Sequence, residues 1–201
     1  MAIDNKALFQ IGYGLYAVMT NDGSKDTGLI VNTVLQVSSN PLRITVTVSK
    51  QNYSHDAIMN SKKMNACVLS TDTPFELFEK LGFRSGRDTD KLSDVETWSA
   101  DNGLPLLTCD YMSAYFSLDV VDTVDFDTHT MFVCAVSQAE VTSDSPAMSY
   151  DYYHKNVKPK KTTKKKGYVC KICGYVYEGD TLPDDFVCPI CKHGATDFEK
   201  L

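Results

Sequence analysis

Two Cys-x-x-Cys pairs near the C-terminus constrain this chain more than any other feature. Cys170 and Cys173 form the first pair, Cys188 and Cys191 form the second, and 14 residues separate the pairs. Two tight turns at this spacing can place four thiolates around one ion in a tetrahedron, a geometry that suits zinc or iron. Four of the seven cysteines lie in this pattern, which favours a metal site over the alternative of paired disulfides.

The residues around the two pairs favour iron over zinc. Segments 168–177, 182–191 and 197–198 read YVCKICGYVY, LPDDFVCPIC and DF, and together they closely resemble a rubredoxin. That family holds one iron in four thiolates and passes single electrons. The resemblance implies that all four cysteines bind the iron and that four aromatic residues form a small core around it: Tyr168, Tyr175, Phe186 and Phe198.

Two details differ from free-standing rubredoxins. Gly174 follows the first Cys-x-x-Cys turn, or knuckle, as in that family, but Lys192 follows the second. The loop between the knuckles is also shorter, and is similar to that of the module appended to rubrerythrins. A zinc ribbon uses the same two knuckles and remains the alternative. A module of this size is too small to bury an adequate core, so we expect it to need its metal to fold.

Charge divides the chain into three parts. Residues 1–157 carry 11 Lys and Arg against 20 Asp and Glu, residues 158–166 carry 6 lysines and no acid, and residues 167–201 carry 3 lysines against 6 acids. We therefore predict a large domain at 1–157, an extended lysine-rich linker at 158–166 and a metal-binding domain at 167–201. Because both flanking domains are acidic, a tether is a better interpretation of the lysines than a nucleic-acid site.

The cysteines and the N-terminus both bear on the compartment. The chain opens without an apolar segment behind a basic start, and no apolar run approaches the length of a membrane span. Cys67, Cys109 and Cys134 are scattered among apolar residues and are predicted to be buried free thiols. Thiolate ligands and unpaired cysteines are typical of a reducing compartment. We therefore expect a cytoplasmic protein with no membrane or nucleic-acid partner.

Hydrophobic patterning predicts a mainly β large domain. Strands are expected at 15–19, 28–31, 42–48, 66–70, 115–124 and 131–141, with an acidic turn at 125–127 between the last two. Ser54 is predicted to cap a short helix, and Thr73-Pro74-Phe75-Glu76 reads as a capping box that opens a second helix at 75–81. A polar loop is expected from there to Gly103. This pattern favours an antiparallel barrel with short helices.

Residues 5–160 resemble the flavin reductase-like FMN-binding split barrels. The resemblance rests on segments 27–41, 50–55 and 152–159, and the loop 83–91 is also similar to a family loop. It implies a mainly β fold, a split β-barrel that binds FMN with NADH or NADPH as electron donor, and a homodimer with FMN near its interface. Relatives of this architecture that bind haem or pyridoxine phosphate leave a different ligand as an alternative.

The chemistry of FMN indicates which part of the cofactor the residues of these segments contact. Hydroxyl groups and a helix N-terminus are good phosphate ligands, so Ser54 and His55 are expected at the phosphate, with Lys50 or Arg87 neutralising its charge. Ser85 is a further expected cofactor-binding residue. The ribityl chain and ring are expected to meet side-chain or backbone groups of Asn32, Thr33, Gln36 and Ser38, and Val34 and Val37 of the same segment are also expected to bind the cofactor. His154 is the candidate catalytic residue, placed over the ring or beside a nicotinamide.

The combination of the two domains is similar to that of the proteins called high-molecular-weight rubredoxins. The resemblance implies that electrons pass from NAD(P)H to FMN, then singly to the iron, and then to an acceptor such as a flavodiiron protein that reduces oxygen or nitric oxide. Two alternatives remain open. One is a reductase of diffusible flavin with a structural zinc ribbon, and the other is an electron carrier that is reduced by another protein.

Overall fold

The large domain is built mainly from β-strands. The structure is a computed structural model that describes residues 4–159 and 167–201; the remainder of the predicted linker, 160–166, lies outside the described residues. A 3-10 helix, Asn5–Gln10, comes first. The strands that follow are β1 Tyr16–Asn21, β2 Asp26–Val31, β3 Val34–Ser39, β4 Leu42–Ser49, β5 Lys63–Leu69, β6 Thr97–Ser99, β7 Pro105–Leu107, β8 Met112–Phe126 and β9 His129–Val141.

Seven of these strands form one antiparallel sheet in the order β2-β1-β5-β8-β9-β4-β3. Val18 and Leu29, from one end of this order, pack in the same buried cluster as Ile44 and Val46 from near the other end. The sheet therefore curls into a barrel whose edges, β2 and β3, are not joined by ladder hydrogen bonds in the described residues. The predicted mainly β fold is confirmed.

Strand alternation gives the sheet a second buried face. Ala17 and Met19 of β1 pack with Leu77, Phe78 and other apolar residues outside the barrel, whereas Val18 between them points into it. This outer cluster is covered by the helix α2, Phe75–Gly82. The other helix, α1 at Tyr53–Ser61, packs on the barrel through Ile58.

The two helix starts differ from the sequence prediction. Asn52 is the N-cap of α1 and gives no side-chain cap, so Ser54 lies inside the first turn, and the prediction that Ser54 caps the helix is wrong. Pro74 is the N-cap of α2, also without a side-chain cap. The Thr73 hydroxyl donates to the carbonyl oxygen of Tyr111 at 2.9 Å instead, so the capping box is wrong as well. At Thr73 a tertiary contact thus determines how the hydroxyl is used.

Three other sequence predictions need correction. The acidic segment 125–127 is not all turn, because Asp125 and Phe126 belong to β8 and pair with Thr130 and His129. The polar loop before Gly103 contains β6, which pairs with β7 in a two-stranded hairpin. Cys109 is exposed, since it begins a 3-10 turn, Cys109–Tyr111, at the surface, whereas Cys67 and Cys134 are buried as predicted.

The large domain ends in a short helical segment. Tyr150–Tyr152 is α-helical and Tyr153–Val157 continues as a π-helix. The Ser149 hydroxyl caps the start by accepting from the backbone N–H of Tyr152 at 3.1 Å. Tyr153 is buried against Phe78 of α2, with ring centroids 4.5 Å apart. Among the residues that the structure describes, no helix has the length and apolar character needed to cross a bilayer.

The C-terminal domain is a three-stranded sheet with two metal-site turns. β10 Tyr168–Cys170 lies between β11 Val176–Tyr177 and β12 Phe198–Lys200, and a 3-10 turn, Ala195–Asp197, precedes β12. Its core consists of the cysteines, buried Phe198 and partly buried aromatic residues, which include the predicted Tyr168, Tyr175 and Phe186. The predicted aromatic core is confirmed.

Candidate metal centre and adjoining cavity

The four cysteine sulfurs converge on one point. Sγ of Cys170 lies 3.5 Å from Sγ of Cys191, Sγ of Cys173 lies 3.5 Å from Sγ of Cys188, and all four lie within 4.8 Å of one another. A tetrahedron with metal–sulfur bonds of about 2.3 Å has edges of about 3.8 Å, whereas a disulfide needs about 2.05 Å. The sulfurs are therefore spaced to hold one metal ion, and the donor set fits iron.

The two knuckles have the same backbone geometry. The N–H of Cys170 donates to the carbonyl oxygen of Tyr175 at 2.8 Å, and the N–H of Gly174 donates to that of Cys170 at 2.9 Å. In the second knuckle the N–H of Cys188 donates to His193 at 2.8 Å and the N–H of Lys192 donates to Cys188 at 3.0 Å. Gly174 has φ of 83° and Lys192 has φ of 62°. Lys192 therefore occupies the left-handed position that glycine occupies in the first knuckle, where side chains are uncommon but tolerated.

Backbone N–H groups also point at the sulfurs. The N–H groups of Ile172 and Cys173 donate to Cys170 Sγ, and those of Tyr175 and His193 donate to Cys173 and Cys191. Burial raises the pKa of Cys170, while hydrogen bonding, chiefly with Cys191, lowers the pKa of Cys173. Such N–H to sulfur bonds favour thiolates and tune the potential of a bound iron.

A cavity of about 470 Å³ lies where the two domains meet. The barrel contributes residues 51–54 at the start of α1, Gly82 at the end of α2 with the loop 83–87, and the tight turn between β8 and β9, together with Ile30, Ser49 and Lys91. The metal domain contributes Ile172 from the first knuckle and residues 190–193 from the second. Cys191, the only one of the four metal-site cysteines that is not buried, lines this cavity. The metal centre and the cavity are thus contiguous.

The charges of the residues that line the cavity suit an anion. The chain has a net charge of −6, yet among the described residues that line the cavity none is Asp or Glu. Four of them are cationic: Arg84, Arg87, Lys91 and Lys192. The hydroxyl of Ser54 is buried here, and its partner, Thr27 Oγ1, is at a long 3.5 Å. Hydroxyl groups and cations without carboxylates are the donor set that a phosphate requires, so these residues fit the phosphate end of FMN.

Tyr53 holds the cationic loop in place. Its hydroxyl donates to Asp22, and this bond is the largest cause that lowers the pKa of that carboxyl. Its ring lies 5.3 Å from Lys25 Nζ and 6.0 Å from the guanidinium carbon of Arg87. A Cβ at Gly86 would come within 2.6 Å of the same ring, so only glycine lets the loop approach so closely. Arg87 also donates to the carbonyl oxygen of Gln51 at 2.9 Å.

Lys91 is a buried cation in the cavity wall. Its Nζ donates to the carbonyl oxygens of Gly28 at 2.9 Å and Leu81 at 2.7 Å. Burial lowers its pKa to about 8. No carboxylate neutralises it among its described hydrogen-bond and ion-pair partners, so an anion in the cavity would favour its charged form.

Three of the cofactor-binding residues predicted from the sequence meet in this cavity: Ser54, Ser85 and Arg87. His55 lies in the helix beside them, but its ring is buried and both nitrogens have protein partners, Thr130 at 2.9 Å and Asp56 at 2.8 Å. Lys50 pairs with Asp125 at 2.5 Å and does not line the cavity. The phosphate role predicted for these two residues therefore has less support than that of Ser54.

The segment predicted to contact the ribityl chain and ring lies elsewhere. Asn32 and Thr33 precede β3, and Thr33 Oγ1 donates to the carbonyl oxygen of Thr47 at 2.7 Å. The others lie on β3, an edge strand of the sheet whose side chains at Leu35, Gln36 and Val37 are exposed: they are Val34, Gln36, Val37 and Ser38. None of the six lines the described cavity, so their roles stay predictions.

His154 lies near the end of the barrel domain and does not line the cavity. Its ring meets those of Tyr150 and Tyr153 edge to face, with centroids 4.4 Å and 5.3 Å apart. Burial against these rings lowers its pKa, and the charge of Lys158 lowers it further. Its catalytic role stays a prediction.

Sequence reasoning missed several cavity residues. Tyr53, Arg84, Lys91 and Lys192 all line the cavity, although none was among the predicted cofactor-binding residues. The departure of Lys192 from glycine was a usable signal, because it adds a cation beside a metal ligand. Lys91 gave no signal, since its burial depends on contacts with β2 and α2.

Family models match both domains. The model described as flavin reductase like domain matches residues 8–161, and the one described as rubrerythrin, rubredoxin-like domain matches residues 168–199. A high molecular weight rubredoxin from Moorella thermoacetica is 33% identical, and the match covers 99% of this chain and 100% of that protein. A ferric-chelate reductase (NAD(P)H) from Archaeoglobus fulgidus is 36% identical over 76% of this chain and 89% of its own.

The fold also has solved counterparts. An NADH:FAD oxidoreductase from Streptomyces globisporus C-1027 superposes with a TM-score of 0.63 at 18% identity, covering 74% of this chain and 92% of that one. This likeness shows the fold of the barrel domain.

Proposed function

The chain belongs to the flavin reductase-like family, with a rubredoxin-like domain at its C-terminus, and from this premise we propose that it passes electrons from NAD(P)H through FMN to one iron and on to a separate acceptor protein. It is an oxidoreductase that uses flavin, NAD(P)H and a four-cysteine iron site. The acceptor that we propose is a flavodiiron protein, and the setting that we propose is the cytoplasm.

One observation carries this proposal: Cys191 belongs both to the metal centre and to the wall of the acid-free cavity. Bound FMN supplies the conversion between the paired electrons of a nicotinamide and the single electrons that an iron in four thiolates accepts. Around it, Ser54, Ser85 and Arg87 bind the phosphate, and Tyr53 holds the Arg87 loop in place. The N–H groups of Tyr175 and His193 orient and stabilise the thiolates through which the iron is held.

Two further residue roles belong to the proposal. The lowered pKa of His154 keeps its imidazole neutral at neutral pH, as suits a group that packs against or hydrogen-bonds to a nicotinamide. The segment from Asn32 to Ser38 binds the ribityl chain and ring from the edge of the sheet. A homodimer would cover that edge, where Leu35 is 64% exposed and Val37 is 51% exposed. An exposed apolar edge strand of this kind favours a partner.

Anaerobic mixing with NADH, and separately with NADPH, tests the proposal. We expect one flavin and one iron per chain, and we expect the flavin bands and then the thiolate-to-iron bands of the visible spectrum to bleach. If only the flavin bands bleach, the iron does not receive electrons from the flavin. If no band bleaches until another reductase is added, the protein is an electron carrier that is reduced by another protein. If protein expressed with ample iron contains zinc instead, and if its flavin is lost on desalting, the protein is a reductase of diffusible flavin.

Lys91 makes FMN binding depend on pH. Below its pKa of about 8 the free protein already carries the charge that the phosphate requires. Above that pH the free protein has lost the proton, and since the bound phosphate raises the pKa of Lys91, binding must take a proton up. We therefore expect FMN affinity to fall by up to about tenfold for each pH unit above the pKa of the free protein, until the pKa of the bound state is reached.

Fluorescence titrations of FMN across this range measure the effect. Lys91→Met keeps the apolar stem and removes the titrating group, so its affinity should be weaker at neutral pH and should lose the pH dependence. An unchanged pH profile in Lys91→Met would assign the effect to another group.

A further inference from the structure

The metal domain is seated on the barrel of its own chain by specific contacts. Phe83, from the loop after α2, packs against the cluster that contains Cys170 and Phe198. Lys158, the first residue of the predicted linker, donates to the carbonyl oxygens of Lys171 and Ile172 at 3.2 Å and 2.6 Å. An apolar contact and two hydrogen bonds to backbone thus hold the first knuckle beside the cavity.

The second knuckle then forms one wall of that cavity. Ile190, Cys191, Lys192 and His193 line it together with the barrel residues. Lys192 is exposed, and its ammonium group has no hydrogen bond or ion pair within residues 4–159 and 167–201. A cation without a partner therefore lines a cavity that already contains Arg84, Arg87 and Lys91 and no acid.

We propose that the second knuckle completes the flavin-binding cavity of its own chain, and that Lys192 supplies positive charge to the flavin phosphate. The inference rests on the proposed function, because it takes FMN as the occupant. Under this proposal both domains contribute residues to one FMN site. Because coupling between binding and docking is reciprocal, the phosphate also stabilises the docked position of the metal domain, with Cys191 facing the cavity.

The test compares two lysines of the same domain. Lys192→Gln and Lys200→Gln each remove one positive charge, and Lys200 is exposed on β12 and does not line the cavity. The proteins are loaded with zinc, so that the metal does not quench fluorescence, and are titrated with FMN and with riboflavin, which lacks the phosphate. We expect Lys192→Gln to weaken FMN binding by about 5- to 10-fold, and Lys200→Gln to change it by less than about twofold.

Riboflavin separates a charge contact from a structural effect. Its affinity should be the same in Lys192→Gln and Lys200→Gln, and added salt should narrow the difference seen with FMN. Lys192→Gly is the second variant, since glycine suits the φ of 62° and removes the charge without risk to the turn. It should match Lys192→Gln.

The failure of the inference differs from the failure of the proposed function. If both Lys192 variants bind FMN as tightly as Lys200→Gln does, the bridging role of Lys192 is wrong, although the protein still binds flavin. If the Lys192 variants weaken FMN and riboflavin equally, the effect is structural and the inference is wrong as well. If the unaltered protein binds no FMN at any concentration tested, the proposed function itself falls.

Discussion

A Cys170→Ala variant is expected to lose its iron, and with it all electron transfer beyond the flavin, while NAD(P)H still reduces flavin in the barrel. Cys170 is fully buried at the centre of the small core, and its sulfur accepts two backbone N–H groups. Alanine offers no ligand atom, and a module of this size depends on its metal for folding. Iron content should fall from one per chain to near zero, and the rate at which the acceptor is reduced should fall by at least about 100-fold.

Metal analysis, the visible spectrum and anaerobic reduction kinetics measure this outcome. Flavin is supplied at saturation, because the unfolded metal domain would no longer complete the cavity. Cys109→Ala is the matched control: Cys109 is an exposed cysteine outside the cluster, and the variant should keep both iron and electron transfer. An iron-free Cys170→Ala protein that reduced the acceptor at the original rate would show that the iron is not in the path. Retention of iron would show that the ligand set is wrong.

The metal centre could be predicted from the sequence because its determinants are local. Each knuckle spans six residues, and its turn, its N–H to sulfur bonds and two of its ligands all lie within that span. Only the meeting of the two knuckles is a tertiary event, and a four-thiolate ion site requires it. The aromatic core followed for the same reason, since Tyr168, Phe186 and Phe198 lie next to the ligands in the chain or in the sheet.

The cavity could be predicted only in part because distant segments build it. Ser54 and Arg87 carry a recognisable chemistry, whereas the role of Lys91 depends on carbonyl oxygens of β2 and α2 that no local pattern reveals. The contribution of the metal domain depends on how two folded units pack. The predicted capping box was wrong for a related reason. Thr73 has a suitable side chain for a cap, but its hydroxyl donates to the carbonyl oxygen of Tyr111, 38 residues away.

Charge reversal at Arg87 is the second change with a large expected effect. Arg87→Glu places a carboxylate in a cavity whose described lining has none, next to the position proposed for a phosphate. The attraction of one cation is lost and a repulsion replaces it. We expect FMN affinity to fall by about 100-fold, while riboflavin changes much less because it carries no phosphate.

Arg87→Lys separates charge from geometry. The lysine keeps the positive charge, but loses the planar guanidinium that lies over the Tyr53 ring and bonds the carbonyl oxygen of Gln51. Its FMN affinity should lie between those of the unaltered protein and Arg87→Glu. Lys63→Glu makes a matched charge reversal at an exposed position on β5 outside the cavity lining, and should bind FMN normally. Equal weakening in Arg87→Glu and Lys63→Glu would mean that net charge alone governs binding. In that case the acid-free cavity is not where the phosphate lies.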